Sequence, residues 1–224
     1  MTTPMIVFVI AYVAVTISYF FSETSGNFKR RAVNKIILAT MFLIYATVEM
    51  FRLRLFGTLQ LVAFIGVIFS YIGDVWLLWD FKNGGKSFAI GNVILFVYLN
   101  LYYYSVGLTI KNYWWFVILF LGLVEGFKYL AKIGWYEHLK GKMVKDFTLY
   151  ISSVTLHGTL GLVGLFYLHD IKSVLLCAGL FLFMVSDYFI SLHKFKYIDS
   201  KAILRCNSGT YFIGLMLVVL SFSF

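Results

Sequence analysis

Long apolar runs separated by short polar breaks make up nearly the whole chain. The clearest is Leu59 to Trp79, LQLVAFIGVIFSYIGDVWLLW, twenty-one residues with a single charge, Asp74. About 20 apolar residues at a 1.5 Å rise match the roughly 30 Å hydrocarbon core of a bilayer. The run therefore predicts a transmembrane helix with a carboxylate inside it, five residues before Trp79. The same pattern predicts seven more spans, at 4–21, 33–51, 88–106, 113–131, 147–167, 173–192 and 205–223. The span 113–131 is the most polar, carrying Glu125 and Lys128. The breaks are short, so neighbouring helices should pack antiparallel. The longest is 132–146, a basic connector. Gly84-Gly85, in the third break, reads as a turn. The single proline, Pro4, lies at the start, so no helix is expected to be proline-kinked.

Composition agrees with the pattern. Hydrophobic residues are 61% of the 224 and charged residues 13%, about half the charged share of a soluble domain. The expected fold class is all-α: one polytopic membrane bundle of eight transmembrane helices over residues 1–224. No cleavable signal-peptide pattern precedes the first span. Cys177 and Cys206 fall in or beside predicted helices and read as packing residues rather than a disulfide or metal site.

The net charge of +9 changes the picture only through its placement. Fifteen of the nineteen Lys and Arg residues fall in the odd breaks and their helix ends; Arg52, Arg54, Lys111 and Lys172 lie on the other side. The positive-inside rule then puts the odd breaks in the cytoplasm and both termini outside. Anionic headgroups explain the basic charge, and a nucleic-acid partner is not expected.

On that topology the third and seventh spans run in the same direction. Asp187, the one acid of SVLLCAGLFLFMVSDYFISL, lies five residues before Leu192, as Asp74 does before Trp79. Two embedded carboxylates thus share one depth near the cytoplasmic face. FSYIGDVWLLWDFK and LFMVSDYFISLHKFK share a small residue before the Asp, apolar and aromatic residues after it, and a basic exit. That likeness suggests two parallel four-helix repeats about an axis along the membrane normal. A carboxylate inside a membrane is expensive and is a functional-site hypothesis by default.

Two readings of the acids follow. In the plain one, each bonds a neighbouring Ser, Tyr or Lys and ties helices together. In the chemical one, two carboxylates in one poorly solvated chamber hold different protonation states, the condition for general acid and general base in one site. An acid-labile ether would suit that pair, although spacing does not select that bond. A small proton-coupled transporter is the alternative function; it needs a water path outward, yet the outer halves of the third and seventh spans lack ionisable groups. A structural or lipid-binding protein would instead pair the acids with bases. Tyr71, Trp76, Trp79, Ser186 and Tyr188 stand close enough in sequence to the acids to line a pocket, and an aromatic face there would suit a quaternary amine. Lys35, Lys145 and Arg205, at cytoplasmic helix ends, read as snorkelling residues or as phosphate contacts. Glu49 and Glu125 should pair with nearby Arg or Lys, and His157 should be a satisfied packing residue. No metal-ligand spacing or nucleophile elbow is present.

Eight spans, Gly73-Asp74-Val75 in the third and Ser186-Asp187 in the seventh with a basic exit resemble the lysoplasmalogenase family, the YhhN-like membrane proteins. Lys35 opening the second span, the run Phe96 to Tyr103 and Tyr211 in the last span extend the resemblance over most of the chain. It implies hydrolysis of the vinyl ether of lysoplasmalogens to a fatty aldehyde and glycerophosphoethanolamine or glycerophosphocholine, without a cofactor. It also implies Asp74 and Asp187 as catalytic pair, with Lys35, Tyr103 and Tyr211 lining the pocket. Asn100 is a further candidate contact, at a position where the family often has histidine; Ile36 stands where it usually has proline. The expected partners are a lysophospholipid substrate and membrane lipids, in a bacterial inner membrane or the endoplasmic reticulum.

Overall fold

The structure is a computed structural model that describes residues 3–224. Among the described residues there are nine α-helices and no strand: α1 (Thr3–Glu23), α2 (Phe28–Arg52), α3 (Gln60–Trp76), α4 (Phe81–Ser105), α5 (Ile110–Tyr113), α6 (Trp115–Lys132), α7 (Lys142–Tyr167), α8 (Ile171–Phe195) and α9 (Lys201–Leu220). Six of them are long and apolar enough to cross a membrane: α1, α2, α4, α7, α8 and α9. Large apolar side chains such as Ile6, Val7, Ile10, Val13 and Ile17 of α1 are exposed on the outside of the bundle. In water such a surface would be a liability; against lipid it is the natural exterior. The chain is a multi-pass membrane protein.

Several helices begin earlier than their apolar runs. α2, α4, α8 and α9 start at Phe28, Phe81, Ile171 and Lys201, against the predicted 33, 88, 173 and 205. Each first turn is held by a side-chain cap. Asn27 accepts from Arg30 N, Asp80 from Lys82 N and Asn83 N, Asp170 from Ser173 N and Ser200 from Ile203 N. A cap satisfies the free N–H groups of a first turn whatever its hydropathy. Gly84 and Gly85 accordingly lie inside α4, not in a turn. Gly84 is needed there because a Cβ would come within 2.8 Å of Leu77.

α3 is correspondingly shorter than its run. It ends at Trp76, and Leu77–Trp79 form the turn that delivers Asp80 as the cap of α4. Asp74 therefore sits two residues from the helix end rather than five from Trp79, and Trp76 and Trp79 are exposed.

α1 packs antiparallel on α2, α2 on α3, α3 on α4, α6 on α7, α7 on α8 and α8 on α9, as short connections require. Glycine brings two pairs of helix backbones close together. Between α3 and α4 a Cβ on Gly91 would stand 3.1 Å from Gly66 O; between α8 and α9 a Cβ on Gly214 would stand 2.8 Å from Gly179 O. Such close approach of two helix backbones is the usual way bundles gain van der Waals energy in lipid. Gly66 and Gly179 each lie eight residues before an aspartate, Asp74 and Asp187 respectively. α4 and α7 run side by side in the same direction, with Asn92 Nδ2 donating to Ser153 Oγ (3.3 Å) near one end and Tyr103 OH to Leu160 O (2.6 Å) further along. α9 closes the bundle against α1 and α2 through Tyr12 OH to Phe212 O (3.2 Å) and Tyr45 OH with Ser223 Oγ (2.6 Å). The connections 24–27, 77–80, 133–141 and 196–200 thus gather at one end, the basic one.

Candidate functional site

Asp74 is the innermost charge at that basic end, 1% exposed. Its position follows from Gly73, whose missing side chain lets the Phe88 ring lie against α3: a Cβ would come within 2.7 Å of Phe88. Two helices answer the carboxylate. Lys35 Nζ of α2 lies 3.2 Å from Oδ1, and Tyr211 OH of α9 donates to Oδ2 at 2.5 Å. The lysine contact is an ion pair without hydrogen-bond alignment, so Oδ1 keeps a lone pair with no donor. Lys35 therefore does not snorkel toward headgroups; it turns inward as counter-charge to Asp74. The reason is the cost of an uncompensated carboxylate at this depth, which exceeds the cost of bending a lysine inward.

Asp187, on α8 and 6% exposed, is built differently. Tyr150 OH of α7 donates to Oδ2 at 2.7 Å, and among the described residues no Lys, Arg or His lies within ion-pair distance. Asp187 is in electrostatic range of Asp74 and Lys35. The two halves meet through aromatic rings. Tyr211 stands 5.2 Å from Phe183, one turn before Asp187, and 6.0 Å from Phe88. The plain reading, in which each acid bonds a neighbouring Ser, Tyr or Lys and ties helices together, fits Asp74 through Lys35 and Tyr211 and Asp187 through Tyr150; pairing with a base fits Asp74 alone.

The other candidates divide. Lys35 and Tyr211 are at the site. Tyr188 follows Asp187 and shares a hydrogen bond with Thr155 Oγ1 (3.0 Å) on α7. Tyr71 is half-buried and packs on the main core. Ser186 is buried, with its hydroxyl spent on Phe183 O (2.7 Å), so it offers a substrate nothing. Trp76 faces outward. Tyr103 and Asn100 are not at the site. Tyr103 bonds Leu160 O near Cys177 in the opposite half of the bundle, and Asn100 bonds Phe96 O (2.9 Å) and accepts from Tyr113 OH (3.4 Å). Both lie toward the C-terminal end of α4, far along its axis from the basic end. As expected, Glu49 pairs with Arg52 and Glu125 with Lys128. Cys177 and Cys206 are free thiols. His157 is buried but not satisfied: neither ring nitrogen has a partner.

Two residues at this end lie outside the set that the sequence points to. Tyr150 stands near the start of the predicted sixth span, at the depth of the acids, and that depth was the available signal. Glu23 lies beyond the predicted end of the first span; it is the last residue of α1 and 8% exposed.

A bundle of apolar helices whose basic end buries Asp74 against a lysine and Asp187 against a tyrosine defines a membrane protein with a polar centre. Residues 30–222 match the model of the YhhN family. The chain belongs to that family, the family of lysoplasmalogenases. No curated protein and no solved structure matches the chain.

Proposed function

We propose that this protein hydrolyses the vinyl ether of lysoplasmalogens, with Asp187 as general acid and Asp74 as general base. The observation that carries the reading is the asymmetry of the pair. Lys35 gives Asp74 a counter-charge, and among the described residues Asp187 has the Tyr150 phenol and no cation. An ionised carboxylate keeps its charge cheaply only where a cation faces it. Asp187 therefore enters the cycle carrying the proton.

The steps balance without a cofactor. Asp187 gives its proton to the outer carbon of the vinyl ether, leaving an oxocarbenium ion at the carbon bonded to oxygen. Water adds there and Asp74 Oδ1, the oxygen without a donor, takes the proton released. The product is a hemiacetal. It collapses when the Asp187 carboxylate takes the hydroxyl proton and Asp74 returns its proton to the departing glycerol oxygen. A fatty aldehyde and a glycerophospho-headgroup leave, and both acids are reset. Positioned proton transfer of this kind contributes about 10²–10⁴ in rate.

In this reading α3 and α6 cross the membrane with the six longer helices, giving eight spans with the basic end in the cytoplasm. The matched Gly66–Gly91 and Gly179–Gly214 contacts, at equal spacing from the two acids, support two parallel four-helix repeats. The test is to purify the protein, add lysoplasmenylethanolamine and measure aldehyde. Release by the wild type, with loss in Asp74→Asn and Asp187→Asn, is the expected result. A wild type that yields no aldehyde ends the proposal.

A further inference from the structure

A further buried carboxylate at the basic end takes no part in these steps. Glu23 closes α1 at the basic end, and its Oε1 accepts from Tyr19 OH (3.0 Å) and Ser208 Oγ (2.5 Å). Its Oε2 is buried with no partner. Among the described residues no cation lies within ion-pair distance of it. A buried carboxylate oxygen without a donor costs free energy unless something brings one.

Glu23 lines a cavity of about 180 Å³, together with Ser22, Gly26, Asn27, Phe28 and Arg31. Arg31, with its guanidinium 5.5 Å over the Phe28 ring, gives the same cavity a cation. The cavity thus presents both signs of charge, held apart. A neighbouring cavity of about 290 Å³ carries Lys29 and Arg30. Arg31 and Lys35 are four residues apart on α2 and so share a face, about 6 Å apart along the axis. Lys35 leads on to Asp74.

We infer that this cavity is the headgroup site of the enzyme, with Arg31 taking the phosphate and Glu23 the ammonium of a zwitterionic glycerophospho-amine. The inference rests on the hydrolase reading for its substrate and adds to it a site for the polar end. A phosphate at Arg31 places the glycerol unit along α2 and the sn-1 ether oxygen about one helical turn deeper, at the level of Lys35 and Asp74. An ammonium at Glu23 supplies the donor that Oε2 lacks. A headgroup without an amine leaves that oxygen orphaned, so the site favours ethanolamine-type substrates over a bare phosphomonoester.

The test measures binding, not turnover, with saturated 1-O-alkyl lysophospholipids that have no vinyl ether to cleave. The wild type in detergent should bind the glycerophosphoethanolamine form about tenfold more tightly than the glycerophosphate form, the affinity ratio of one modest charge pair. Glu23→Gln should bring that ratio to about one. Arg31→Gln should weaken both ligands by a similar factor and leave the ratio in place. Soluble glycerophosphoethanolamine should compete with the lipid analogue where inorganic phosphate does not. A wild type with no preference, a Glu23→Gln variant that keeps it, or an Arg31→Gln variant that binds both ligands normally overturns the inference. Amine-selective binding with no aldehyde release leaves the headgroup site standing and removes the hydrolase; aldehyde release with no Glu23-dependent selectivity does the reverse.

Discussion

Lys35 Nζ lies 3.2 Å from Asp74 Oδ1, and among the described residues Asp187 has no such partner. The two acids of this site are alike in sequence and unlike in surroundings. Removing the lysine should therefore expose the difference. Lys35→Met leaves a buried carboxylate uncompensated and should destabilise the protein by about 3–5 kcal/mol. Lys35→Met with Asp74→Asn removes both charges and should recover most of that loss. Thermal unfolding of the four-member set in detergent checks the coupling; additive losses would show that the pair is not coupled.

In the proposed mechanism the tyrosines position the acids without exchanging protons with substrate. Tyr150→Phe removes the donor to Asp187 Oδ2, and Tyr211→Phe removes the donor to Asp74 Oδ2. A hydrogen bond to a charged group contributes about 1.5–3 kcal/mol, so each change should lower kcat by roughly ten- to a hundredfold. Their pH–rate profiles should separate, because Tyr150 acts on the acid and Tyr211 on the base. Superimposable profiles would contradict the assignment of separate roles.

Much of this fold can be read from hydropathy, because lipid-facing helices must be apolar along their length. α2 and α4 show where that reading stops. Their first turns are polar and basic, and they are helical because Asn27 and Asp80 cap them, a local event invisible to an average over a span. The two acids are equally legible, since a lone Asp in an apolar run stands out. Which residue faces which acid is not, because it depends on helix rotation and on close approach at Gly66 and Gly179. Hence Tyr150 was missed, and Tyr103 was placed at the site when it bonds Leu160 O instead.

Tyr103 and Asn100 give a contrast to the site residues. Tyr103→Phe should reduce stability by about 1 kcal/mol through the lost bond to Leu160 O and leave aldehyde release within about twofold. Asn100→Ala should also keep near-wild-type turnover. A hundredfold loss of kcat in either variant would return them to the site.

The glycine contacts set how closely each acid-bearing helix packs on its neighbour, α3 on α4 and α8 on α9. Gly179→Ala drives a methyl to 2.7 Å from Gly214 O, a backbone atom that cannot swing aside, whereas Gly85 has open space around it. Gly179→Ala should cost about 1–3 kcal/mol and Gly85→Ala close to nothing. Paired melting curves check this, and equal effects would contradict the packing described for α8 and α9.

The central claim is that Asp187 hands a proton to the vinyl carbon. Hydrolysis of lysoplasmenylethanolamine in D₂O, read by mass spectrometry of the aldehyde, tests it most directly. The account predicts one deuterium at the carbon next to the aldehyde, a slower rate than in H₂O, and loss of about 10²–10⁴ in rate for Asp187→Asn. Aldehyde with no deuterium at that carbon, or Asp187→Asn turning over at the wild-type rate, would contradict it.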